Sequence, residues 1–335
     1  MRIRFYSAQK YDRQFFDRAN EQYGFTLEYS ESALNADTAR LASDANAVCA
    51  FVNDTLDKAC LEQLSGQGVG IVAMRCAGFN NVDLNAAGHL GMQVVRVPAY
   101  SPEAVAEHTM ALILTLNRNT HRAYNRVRES NFNLQGLLGF NLHGRTVGLI
   151  GTGRIGVATA RVLSGFGVRL IGHDVFENAN FRELGGEYVD LDTLYGTADL
   201  ISLHCPLTGD NHHLINSESL AKMKDGVMIV NTSRGGLIDT GAVIEALKSG
   251  KVGHLALDVY EQEGDIFFRD LSDEILTDDL LSRLLTFPNV LITGHQGFFT
   301  DEAMSQIAEV TLGNLNALFT GVACDNELTS QVLGE

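Results

Sequence analysis

Through residues 1–100, short apolar runs at 3–6, 25–29, 47–52, 70–74 and 93–97 alternate with polar segments of helical character. That alternation predicts an open, parallel α/β sheet. Residues 101–128 then read as one long helix, with Pro102 in its first turn, where proline is well tolerated. Its middle, AEHTMALILTL, is apolar on more than one face, which predicts burial between domains or subunits. Residues 131–144 have glycines and no clear period, and read as an arm or linker. From residue 146 the alternation resumes, with strands expected near 146–150, 168–172, 187–189, 199–203, 227–231, 255–258 and 290–293. Residues 301–319 predict a last amphipathic helix, and the tail past Gly321 reads as irregular.

The stretch from Thr146 to Asp174, TVGLIGTGRIGVATARVLSGFGVRLIGHD, reads as strand, glycine turn, helix, strand and acid. Gly151, Gly153 and Gly156 match G-x-G-x-x-G. In such a unit the first glycine permits the tight turn and the second lets backbone approach a pyrophosphate. The third lets the helix pack closely, and the helix N-terminus supplies N–H groups to the phosphates. Asp174, 23 residues after Gly151, would accept hydrogen bonds from an adenosine ribose diol and repel a 2′-phosphate. That favours NAD over NADP.

A chain of 335 residues with 45% hydrophobic and 20% charged content suits a soluble protein of two domains. Its net charge of −16 argues against nucleic acid as a partner. It also means that an anionic substrate needs a local positive site. The five cysteines (Cys49, Cys60, Cys76, Cys205, Cys324) form no C-x-x-C pair and no metal-ligand spacing, so reduced thiols in a cytoplasmic protein are expected. No signal peptide is evident, no metal is expected, and no apolar run reaches the length of a membrane span.

Ligands of open α/β sheets bind beyond the carboxyl ends of the strands. There the sequence places His204, Cys205 and Pro206 (ISLHCPLT), Thr232, Ser233 and Arg234 (VMIVNTSRGG), Asp258 and Glu263 (LALDVYEQE), and His295 (TGHQGF). Arg234, Glu263 and His295 form a coherent set for reducing a 2-keto acid. Hydride addition leaves an alkoxide that needs a proton, and histidine suits the donation. A carboxylate on the imidazole would keep that acid loaded. An arginine can pair with the substrate carboxylate and polarise the neighbouring carbonyl. Glu263 stands beside Glu261 and Asp265, so residue type alone does not single it out. Cys205 reads as a backbone or packing contact and His108 as a packed core residue. The other histidines at 89, 121, 143, 173, 212, 213 and 254 read as surface or structural.

Seven collinear stretches (CAGFNNVDL, VPAYSPEAVAEHTMALIL, GRTVGLIGTGRIG, ISLHCPLT, VMIVNTSRGGLIDT, LALDVYEQE and TGHQGFFT) resemble the D-2-hydroxyacid dehydrogenases over nearly the whole chain, most closely the lactate branch of fermentative bacteria. Phosphoglycerate-, glycerate- and glyoxylate-type members often carry proline after the catalytic glutamate. Here Glu263 is followed by Gly264-Asp265-Ile266-Phe267-Phe268, as in the lactate branch. The resemblance implies two doubly wound parallel-sheet domains with a cleft between them: a flavodoxin-like substrate domain, 1–100 with 299–335, and a Rossmann-type NAD domain, 101–298. It implies catalytic roles for Arg234, Glu263 and His295. NAD contacts are implied for Arg154, Ile155, Asp174, Cys205, Pro206, Asn211, Thr232, Ser233 and Asp258, the last toward the nicotinamide, with a helix-cap role as the alternative. Ala77 and Gly78 inherit substrate-carboxylate binding through backbone N–H groups, while Tyr100 and Phe298 either line the pocket or simply pack. The implied activity is reversible, NADH-dependent reduction of pyruvate to D-lactate. A bulkier 2-keto acid is the alternative, and a non-catalytic NAD sensor a remote one. A homodimer is expected, with a homotetramer possible.

Overall fold

The computed structural model describes residues 1–329. Its contacts divide the chain into two units, Met1–Ser101 together with the stretch from Phe298, and Pro102–Gly297. In the first unit the strands are β1 (Arg2–Phe5), β2 (Thr26–Tyr29), β3 (Ala47–Ala50), β4 (Ile71–Met74) and β5 (Gln93–Val95), with helices α1 (Lys10–Asn20), α2 (Lys58–Gly66) and α3 (Leu84–His89) between them. They form one parallel sheet of order β2-β1-β3-β4-β5, the flavodoxin-like winding. Every residue of β3 and β4 is buried, as a parallel sheet covered on both faces requires.

The second unit opens with α4 (Pro102–Arg118) and α5 (Thr120–Arg128). Its strands are β6 (Thr146–Ile150), β7 (Arg169–His173), β8 (Glu187–Tyr188), β9 (Leu200–Leu203), β10 (Val227–Asn231), β11 (Val252–Leu257) and β12 (Val290–Ile292). The helices among them are α6 (Arg154–Ser164), α7 (Ala179–Glu183), α8 (Leu191–Thr197), α9 (Ser217–Lys222), α10 (Thr240–Ser249) and α11 (Asp279–Leu285). The strand order β12-β11-β10-β9-β6-β7-β8, all parallel, is the Rossmann winding extended by one strand. The order reverses beside β6, so the glycine turn after β6 sits at the topological switch point. Asp190, Asp239 and Asp278 each cap a following helix by accepting a backbone N–H, worth about 1 kcal/mol apiece.

In the first unit the final helix, α12 (Asp301–Phe319), lies against α1 and β4. Phe298 belongs here, not to the dinucleotide unit, because its ring packs between Phe51 (centroids 5.9 Å apart) and Tyr100 (6.3 Å). The irregular tail past Gly321 is interrupted by one antiparallel bridge, Val95 to Glu327, and its residues 330–335 lie outside the described ones.

The expected single helix over 101–128 is two helices. Asn119 takes a left-handed conformation, φ 51°, which asparagine tolerates better than most residues. Just before the break, Asn117 donates from Nδ2 to the Phe140 carbonyl (2.8 Å) and its Oδ1 accepts the Phe140 N–H (2.9 Å). From Met110 onward, α4 packs inside its own unit. Met110, Leu112, Ile113 and Leu116 pack with Val157, Ala160 and Leu163 of α6 and with Val230 and Ala256 of the sheet. Among the described residues no helix is long and apolar enough to cross a membrane.

Candidate active site

The glycine turn is built by exclusion of side chains. Gly151 holds φ 98°, and a Cβ there would collide with the backbone of His204 and Cys205 beyond β9. A Cβ on Gly156 would run into the Gly151 carbonyl, so helix and turn touch only because both residues are glycine. A Cβ on Gly153 would meet no heavy atom within 4 Å, and Gly153 caps α6 without a side-chain hydrogen bond. The first-turn N–H groups of α6, including those of Arg154 and Ile155, therefore face an open cradle at the positive end of the helix dipole. A pyrophosphate fits such a cradle.

Asp174 follows β7. Its Oδ2 accepts the Thr152 N–H (2.6 Å) and hydroxyl (3.2 Å), and its Oδ1 accepts the Phe176 N–H (3.2 Å). The acid is thus tied to the residue between the two turn glycines. Cys205 is held through its carbonyl, which accepts the Ser233 hydroxyl at 2.6 Å, and burial pushes its thiol up to about 11. A thiol of that acidity makes a poor nucleophile near neutral pH. Asn211 donates to the Pro206 carbonyl (2.7 Å), and the Thr232 hydroxyl meets that of Thr109 on α4 (2.9 Å). These bonds gather the loops after β9 and β10 at the mouth of the sheet.

At the far side of that mouth stand an imidazole and a carboxylate. His295 Nδ1 lies 2.8 Å from Glu263 Oε1, and Glu263 Oε2 accepts the Tyr260 N–H at 2.8 Å. Both carboxylate oxygens of Glu263 thus have partners, and the ring can turn only its Nε2 elsewhere. Both side chains are mostly buried. His295 sits at φ 53°, a costly conformation for a histidine, and Asp258 pins the segment that bears it. The Asp258 carbonyl accepts the His295 N–H (2.7 Å), and its carboxylate accepts those of Gln296 (2.9 Å) and Gly297 (2.8 Å). Thr293 Oγ1 (2.5 Å) and His108 Nε2 (3.1 Å) meet the same carboxylate. Burial pushes the Asp258 carboxyl up, but bonds from His108 and Thr293, the His108 charge and the Gln296 N–H outweigh it and hold it below the ordinary carboxylate range.

His108 is therefore no packed core residue but a partner of Asp258. The sequence hides this, because the pair is 150 residues apart and α4 carries His108 among apolar neighbours. Thr293, at the end of β12, was equally silent.

Arg234 follows β10, and its Nη1 donates to the Ser233 carbonyl at 2.6 Å. Gly235 packs so closely on Tyr260 and Glu261 that no Cβ would fit, which fixes the chain beside Arg234 to the segment leading to Glu263. In the first unit, the Ala77 carbonyl accepts from Arg96 Nη1 (3.0 Å) and the Gly78 carbonyl from Cys76 Sγ (3.2 Å). These bonds use the carbonyls of the CAGF turn.

A glycine-turn dinucleotide cradle and a histidine–carboxylate pair on one sheet mouth define a nicotinamide-dependent oxidoreductase. Residues 110–297 match the family model described as "D-isomer specific 2-hydroxyacid dehydrogenase, NAD binding domain". The chain is 57% identical over 326 residues to a 2-hydroxyacid dehydrogenase homolog of Haemophilus influenzae, covering 97% of this chain and 98% of that one. It is 54% identical over 328 residues to the D-lactate dehydrogenase of Escherichia coli, covering 98% and 100%. The apo structure of the Escherichia coli D-lactate dehydrogenase superposes with a TM-score of 0.90 at 52% identity, covering 98% and 100%. The chain belongs to the D-isomer-specific 2-hydroxyacid dehydrogenases, and its second unit is their NAD-binding domain.

Proposed function

We propose that the protein reduces pyruvate to D-lactate, with NADH and a proton as co-substrates, in the manner of fermentative NADH reoxidation. The observation that carries this reading is the His295–Glu263 pair on the same sheet mouth as the glycine cradle. The dinucleotide supplies the hydride. Every other requirement falls to side chains.

Arg234 pairs with the substrate carboxylate and draws electron density from the adjacent carbonyl. His295 delivers a proton from Nε2 to the oxygen as it becomes an alkoxide. Glu263 fixes the ring through Nδ1, so that this nitrogen cannot compete for the substrate, and sets a negative charge against the doubly protonated imidazole. Asp258 holds the loop in its strained conformation. The N–H groups of Arg154 and Ile155 hold the pyrophosphate and Asp174 the adenosine ribose. Cys205, Pro206, Asn211, Thr232, Ser233 and Asp258 complete the cofactor contacts, and Ala77, Gly78, Tyr100 and Phe298 bind the substrate.

The alternative within the family is a bulkier 2-keto acid. A panel of pyruvate, 2-ketoisocaproate and phenylpyruvate separates the two, and the present reading requires kcat/KM to be highest for pyruvate. A preference for 2-ketoisocaproate or phenylpyruvate replaces it. NADH binding with no turnover of any keto acid would favour a non-catalytic sensor.

We also propose a homodimer joined through α5 and the arm after it. No residue of α5 is buried in the chain, and Tyr124, Val127, Phe132, Leu134 and Leu138 lie exposed there, Leu138 at 94%. Arg126 anchors the arm by donating to the carbonyls of Asn133 (3.2 Å) and Gln135 (2.8 Å). A dimer in solution that Phe132→Ser with Leu138→Asp dissociates is the expected result; a wild-type monomer contradicts it.

A further inference from the structure

Two histidines set aside as surface residues meet a carboxylate. His212 and His213, in the loop after β9, stack with ring centroids 3.9 Å apart. His213 Nε2 lies 2.5 Å from Glu261 Oε1. One ligand atom from each of His212, His213 and Glu261 falls within 4.8 Å of the others. We propose that these three side chains form a binding site for one late first-row divalent cation of the Zn²⁺ or Ni²⁺ kind.

The chemistry of the donor set points to that class. Two imidazole nitrogens and one carboxylate oxygen suit Zn²⁺, Ni²⁺ and Co²⁺, while Mg²⁺ and Ca²⁺ prefer all-oxygen shells. Around an ion with bonds of about 2.0–2.2 Å, ligand atoms sit roughly 3–4 Å apart, so the cluster must close slightly on one side and open between His213 and Glu261. His212 is exposed, so its ring can swing toward an ion by leaving its stack on His213. Its exposure also leaves water access to the remaining coordination positions.

The other two ligands are built in. Glu261 Oε2 accepts the Thr240 hydroxyl at 3.0 Å, the kind of outer bond that orients a metal-binding carboxylate. His213 sits at φ 54°, held from both sides. Its N–H donates to the Gly236 carbonyl (2.8 Å), and its own carbonyl accepts from Asn216 Nδ2 (2.9 Å). A strained, doubly anchored histidine facing a pre-oriented carboxylate is more than a chance surface ion pair needs.

Untagged protein stripped with EDTA is titrated calorimetrically with NiCl₂ and with ZnCl₂, with MgCl₂ as the hard-ion comparison. The expected result is one equivalent of Ni²⁺ or Zn²⁺ bound, a raised melting temperature, reversal by EDTA and no Mg²⁺ response. In His212→Ala, affinity should fall by more than about tenfold, and Glu261→Gln should do the same while keeping its Thr240 bond. His212 is exposed, so its variant folds and keeps its turnover. Absence of saturable binding overturns the proposal. So does binding that survives His212→Ala and is lost in Cys205→Ser, which would move the ion to a thiol.

Discussion

Glu263 Oε1 lies 2.8 Å from His295 Nδ1 while its second oxygen accepts the Tyr260 N–H, so one carboxylate ties the imidazole to the backbone of a neighbouring loop. The bond occupies Nδ1, which makes Nε2 the proton donor in the proposed reaction. Glu263→Gln keeps the shape and removes the charge. A hydrogen bond to a charged group is worth about 1.5–3 kcal/mol, so kcat should fall by about ten- to a hundredfold with NADH affinity retained. Steady-state kinetics and NADH fluorescence titration check this, and an unchanged kcat would remove Glu263 from the reaction.

Asp258→Asn tests the support beneath His295. The carboxylate accepts two N–H groups and a hydroxyl and meets His108, whereas a carboxamide turns one acceptor into a donor. At least one buried donor is left unpaired, at a cost of about 1–3 kcal/mol. Denaturant unfolding should show that loss, and kcat should drop with it as the strained loop relaxes. Wild-type stability in the variant would refute this role.

His204 links pH to stability. Its Nδ1 is buried without a hydrogen-bond partner and its Nε2 meets Ser202 Oγ at 2.9 Å. Burial pushes the imidazole from 6.5 down to about 4. The unfolded chain therefore binds a proton between those values that the folded chain refuses. The contribution is complete above pH 6.5 and is lost as pH falls toward 4, up to about 3 kcal/mol. Thermal unfolding across that window should show a steeper loss for the wild type than for His204→Gln; parallel curves would contradict it.

How far the sequence foretells this depends on where each partner lies. The strands of the second unit are legible because β9 and β10 are buried throughout and read as short, mostly apolar runs, with only Ser202 and Asn231 polar. The glycine turn is legible because its geometry is local. The break at Asn119 is not, since it depends on Asn117 meeting Phe140, 23 residues away. Glu263 carries no local mark that distinguishes it from Glu261, and only the resemblance to a family separated the two. The structure separates them physically, sending one to His295 and the other to His213.

Asp174→Ala should lower the ratio of kcat/KM for NADH over NADPH by about tenfold or more, as expected for loss of a charged acceptor. The same change frees the Thr152 N–H that Asp174 binds, so NADH affinity should fall as well. Kinetics with both cofactors check the ratio. A ratio equal to that of the wild type would place the ribose elsewhere.

The central claim is met most directly by incubating the purified protein with pyruvate and NADH and resolving the lactate formed by chiral assay. The account predicts rapid NADH oxidation with D-lactate as the product, and loss of about 10²–10⁴-fold in rate in His295→Gln. L-lactate, or an undiminished rate in that variant, would contradict it.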